Sequence, residues 1–123
     1  MKSLSAVLVT LLLAATACTS TPSGATCPPD NAPTYTSFTS EFMTTYCTGC
    51  HSRTATNRHG APGNQNYDTE ADVIAHAADI DAEAAAGPNA TNAAMPDMSG
   101  PVHVRPTDEE RKLLGQYLAC QQP

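Results

Sequence analysis

Apolar residues recur at helical spacing in three stretches, and long polar segments separate them. Tyr35, Phe38, Phe42 and Tyr46 step by three and four, which predicts a helix with one aromatic face running into residue 47. Residues 68–86 are rich in Ala, with Val73, Ala77 and Ile80 on one face, Asp68 or Thr69 as a cap, and Gly87-Pro88 as a stop, so the pattern predicts one continuous helix. A third helix opens at Thr107-Asp108-Glu109-Glu110, a capping box with acids at the positive end. It carries Leu113, Leu114, Tyr117 and Leu118 on its apolar face. Gly115 costs such a helix about 1 kcal/mol relative to Ala, which predicts a close backbone crossing there, expected with the first helix. Residues 52–67 hold Gly60, Pro62, Gly63 and three Asn, and residues 87–106 hold Pro88, Pro96, Pro101 and Pro106; both read as loops. No stretch has a strand period or an internal repeat.

The N-terminus has a different character. Met1-Lys2, an apolar run from Leu4 to Leu13 and small residues before Cys18 describe a secretory signal over residues 1–17, too short to span a membrane. The small residues followed by Cys18 resemble a bacterial lipoprotein signal, which implies cleavage before Cys18, a lipid on its thiol and a membrane-anchored periplasmic protein; ordinary cleavage that leaves a free thiol is the alternative. Residues 18–33, polar and rich in Thr, Pro and Ser, read as a flexible tether ahead of a single domain over 34–123. Without Lys2 the mature chain has five Lys and Arg against twelve Asp and Glu, a net charge of −7, which argues against a nucleic-acid partner. Asp72, Asp79 and Glu83 stand on the polar side of the second helix with no base to pair with them, a surface that could steer a basic partner or simply be solvated. Only six aromatics and no Trp are present, little from which to build a core.

The chemistry concentrates in Cys47-Thr48-Gly49-Cys50-His51. Two thiols at this spacing can each add across a haem vinyl group, and the adjacent His is then placed to ligate the iron. A redox dithiol would call for a βαβ surround, and a zinc half-site would need two further ligands at short spacing; neither pattern is present. With Cys47 and Cys50 assigned to one haem c and Cys18 to lipid, Cys27 and Cys120 remain and are expected to form a disulfide in an oxidising compartment. The Pro62 carbonyl is a rigid acceptor for the second ring nitrogen of His51, and Arg58, with Arg53, could pair with haem propionates. Met43 reads as core packing. Pro96 biases Met95 to an extended backbone, which suits a side chain pointing inward from a loop; Met98 on the same loop is its rival. His76 is a weaker candidate for a second axial ligand, and His59 and His103 read as surface loop residues.

A helix leading into CTGCH, a Pro-containing loop, a middle helix, Met95-Pro96 and a closing amphipathic helix together resemble the class I cytochrome c family. That resemblance covers residues 34–120. It implies a small all-α fold of three main helices and long loops around one haem, His51 and Met95 as axial ligands, Cys47 and Cys50 as thioethers, and the Pro62 carbonyl on His51. With both axial positions filled, the expectation is a monomeric carrier of single electrons between redox proteins, not an enzyme. An open-site haem protein that senses gas or reduces peroxide, and a haem-free dithiol module, are the alternatives.

Overall fold

Three threonines begin the helices. In the computed structural model, which describes residues 21–122, Thr34, Thr69 and Thr107 each accept a hydrogen bond from the backbone three residues on. Ser37, Asp72 and Glu110 each reach back to the cap, so all three are reciprocal boxes that satisfy otherwise orphaned N–H groups. The first box opens a π-helical turn, Tyr35–Thr39, that runs straight into α1, Ser40–Tyr46. Phe38, Phe42 and Tyr46 form a tilted ladder with centroids 5.6 and 4.8 Å apart, so the aromatic stripe packs as its spacing predicts. Met43 is buried in the core beside it.

The middle helix is not continuous. Glu70–Ala75 form α2 and Ala77–Ala84 form α3, with His76 between them at φ −113° and ψ 19°. The ring of His76 bonds the Asn64 carbonyl through Nε2 at 3.1 Å and sets its edge on Tyr67, so tertiary contacts override an Ala-rich helical propensity. The acids here are not all unpaired either. Arg53 grips Asp72 with both guanidinium arms and reaches Asp68, and this contact holds the Asp72 carboxyl far below the ordinary carboxylate range.

The fourth helix, α4 (Asp108–Cys120), packs on α3 and on the π-helical turn. Leu114, Tyr117 and Leu118 are buried as expected, each worth about 1.5–3 kcal/mol, whereas Leu113 is only half-buried. Two phenols tie the helices together: Tyr46 donates to Glu110 at 3.0 Å and Tyr117 donates to Glu70 at 3.1 Å. Gly115 does mark a close approach, but to a different element. A Cβ there would stand 2.6 Å from the Ala86 carbonyl oxygen and 2.9 Å from Ala25, so the chain crossing α4 is the segment after α3, together with the N-terminal strap.

That strap corrects the tether reading for residues 21–27. Ser23 is fully buried and donates its N–H and hydroxyl to the two carboxylate oxygens of Asp81 at 2.6 and 2.7 Å, which supplies the partners a buried acid requires. Cys27 is bridged to Cys120 as the cysteine count predicts, fastening the strap to the end of α4 across 93 residues. The described residues are thus all-α with long loops. No strand forms among them beyond a single Ala86–Thr91 bridge, and none of their helices is long and apolar enough to cross a membrane. The leader and Cys18 lie outside the described residues.

A candidate haem site at the end of the first helix

Helix α1 ends by handing its last hydrogen bonds to the CTGCH turn. The N–H groups of Cys47 and Thr48 both donate to the Met43 carbonyl at 2.9 Å, and those of Cys50 and His51 fold back onto the Cys47 carbonyl at 3.1 and 2.9 Å. The turn is therefore fixed by the helix end. Cys47, Cys50 and His51 all face one cavity of about 470 Å3, within the roughly 300–1,000 Å3 range of small-molecule and cofactor sites.

His51 is 8% exposed and its ring is fixed on two sides. Its Nδ1 lies 3.1 Å from the Gln65 carbonyl oxygen, and its face stacks on Tyr67 with centroids 4.6 Å apart and planes 17° from parallel. A carbonyl only accepts, so Nδ1 carries the proton and Nε2 keeps its lone pair. Burial pushes the imidazole's pKa below its ordinary value; the Gln65 bond works against this, while the charges of Arg58 and His76 add to it. The ring is held in the neutral form that can ligate a metal.

The acceptor on His51 is therefore Gln65, not Pro62. The Pro62 carbonyl accepts instead from Arg58, whose guanidinium spans the whole loop: Nη2 reaches Pro62 at 2.6 Å and Gln65 at 2.8 Å, and Nη1 reaches Ser52 at 2.6 Å and Asn66 at 2.8 Å. Arg58 lines the cavity, but its donors are spent on shaping the loop rather than held free for propionates. Arg53 is committed to Asp68 and Asp72.

Met95 lines the same cavity as the two thiols and His51, and it is 37% exposed. Its backbone is pinned at both ends: the N–H donates to the Glu83 carbonyl at 2.9 Å, and the carbonyl accepts from Arg111 at 2.9 Å. Met98, His76 and His103 are not among the lining residues. His59 is among them, and it remains an exposed loop residue as its sequence context suggests. Gln65, Tyr67 and Arg111 also take part in the arrangement, and none of them stands out as a site residue in the sequence. Of these, only Arg111 left a trace, as a charge at a core position of the α4 stripe.

Cys47 and Cys50 are free and half-buried; burial raises the pKa of both thiols, to about 12 for Cys47, and Asp97 adds to the shift at Cys50. Among the described residues no three His, Cys, Asp or Glu side chains converge to hold a bare metal ion. A haem fits better. Two unpaired thiols, a ring nitrogen with its lone pair free, a thioether sulfur and apolar walls from Ile80, Ala84 and Val102 share one cavity of suitable size. Comparison of the chain with protein-family models, with curated proteins and with solved structures finds no match.

Proposed function

We propose that this chain is an exported monohaem c-type cytochrome, with a class I-like fold, that carries single electrons between redox proteins outside the cytoplasm. The observation that supports the reading is the convergence of the Cys47, Cys50 and His51 turn and the distant Met95 on one cavity, from two separate parts of the chain. Cys47 and Cys50 would hold the haem by thioether links, and His51 Nε2 and the Met95 sulfur would be the groups that ligate its iron. Bound there, the haem supplies one-electron chemistry at its iron.

The chain's own residues do the rest. Gln65 fixes the tautomer of His51, Tyr67 fixes the plane of its ring, and Arg58 holds the loop that presents Gln65. Ile80, Ala84 and Val102 supply an apolar wall that limits water at the site. Asp79, Glu83 and Asp97 add negative charge around the cavity, which favours a partner with a basic docking face. The signal over residues 1–17 and Cys18 support export with a lipid anchor.

The test is spectroscopic. Matured protein is expected to show in its ferric form the weak far-red band of sulfur-to-iron charge transfer, and to resist carbon monoxide when reduced. A band-free protein that takes up carbon monoxide readily would replace the carrier with an open-site haem protein.

A further inference from the structure

Arg111 is the most unusual side chain of α4. It stands at 2% exposure in the stripe that continues through Leu114, Gly115 and Leu118, a position where an aliphatic side chain would be buried without cost. Among the described residues no carboxylate forms a salt bridge with it. Its Nη1 instead donates to three backbone carbonyls, Ala84 at 2.7 Å, Asn92 at 3.0 Å and Met95 at 2.9 Å. These come from the end of α3 and from two points of the loop that leads to Met95, so one nitrogen joins α3, α4 and the Met95 loop.

Three further bonds complete the arrangement. The Ala86 N–H donates to the Arg111 carbonyl, the Asn92 N–H to the Ala85 carbonyl, and the Met95 N–H to the Glu83 carbonyl, each at 2.9 Å. The segment between α3 and Met95 is thereby folded back against the base of the guanidinium. Met98, three residues on, has no comparable backbone restraint.

We propose that Arg111 is a positioning residue that holds the Met95 sulfur in the cavity, so that closure of the iron to exogenous ligands depends on this buried guanidinium as well as on the methionine. The proposal rests on the haem reading above. A buried charge tolerates little displacement, because moving it away from the carbonyls leaves both the cation and three acceptors without partners. The guanidinium acts there beside one side chain of the loop itself, the Asn92 amide, which donates to the Asp81 carbonyl at 2.8 Å.

The test uses full-length matured protein carrying Arg111→Met, Arg111→Lys or, as a destabilised control that removes none of the Arg111 hydrogen bonds, Leu114→Ala. Arg111→Met is expected to lose the far-red band and to bind carbon monoxide in the ferrous form while keeping covalent haem. Arg111→Lys, which keeps a cationic donor, is expected to retain most of the band, and Leu114→Ala to lower the melting temperature with the band intact. Should Arg111→Met fail to accumulate, Arg111→Gln and Arg111→Lys give the same comparison, with the band falling in the order Arg, Lys, Gln. An Arg111→Met or Arg111→Gln protein with wild-type band and wild-type resistance to carbon monoxide would overturn the proposal and leave the haem reading standing. So would equal loss of the band in Leu114→Ala, which would make the effect one of general stability. A wild-type protein with no band at all would overturn the haem reading itself, and this proposal with it.

Discussion

At the scale of single residues, the site depends on which carbonyl meets which donor. Gln65 offers one oxygen to both His51 and Arg58, so the ring that would face the iron and the loop around it share an acceptor. The choice between the two methionines is equally local. Met95→Ala is expected to abolish the far-red band and Met98→Ala to leave it unchanged; the reverse result would assign the sulfur to Met98. Gly115→Ala places a methyl 2.6 Å from a backbone oxygen that cannot rotate away, and is expected to cost about 1–3 kcal/mol in denaturant unfolding. The thiols and the histidine were legible because their spacing is itself the chemistry. Gln65 was not: a backbone carbonyl has no residue type, and any of several loop positions could have supplied it. Pro62 looked the more rigid acceptor, and Arg58 takes it instead.

At the scale of elements, the capped starts of α2 and α4 could be read from the sequence, and the break inside the middle helix could not. Each box is a local contract among four residues, so Thr107 and Glu110 announce α4 without help from the rest of the fold. The break at His76 depends on Asn64 and Tyr67, distant in sequence, and propensity carries no trace of them. The pairing of Asp72 likewise depends on Arg53, which reaches across from the loop that follows His51. This contact has a pH signature. The hydrogen bonds from Arg53 depress the folded-state pKa of Asp72 below its ordinary 3.8, so the folded state binds fewer protons than the unfolded state in that range. The stability it contributes is full above about pH 4 and is lost as pH falls below that value. Melting curves between pH 2 and 7 should therefore show a shallower acid decline in Asp72→Asn than in wild type. An identical decline would place the acid sensitivity elsewhere.

At the scale of the whole molecule, the two ends of the domain are joined. The strap bearing Ser23 and Cys27 lies on α3 and is bridged to the end of α4, an arrangement the cysteine count suggested and the polar composition of residues 18–33 concealed. The buried Asp81 is what the composition could not reveal, since an acid in an Ala-rich helix ordinarily faces water. Replacing Cys27 and Cys120 together with Ser is expected to cost about 2–5 kcal/mol of unfolding free energy, given the length of the loop they close. A loss below about 0.5 kcal/mol would mean that the strap is held by Ser23 and Asp81 alone. Cys47, Cys50 and His51 are neighbours already in the sequence, and that Met95 lines the same cavity belongs to the folded chain.

The central claim is that Cys47 and Cys50 carry a haem. Intact mass of the denatured protein, after expression with a c-type maturation system, tests it most directly. The expected mass is that of the processed chain plus one haem, and that of the bare chain when both cysteines are replaced by Ala. A wild-type protein that is colourless and has the mass of the bare polypeptide would contradict it.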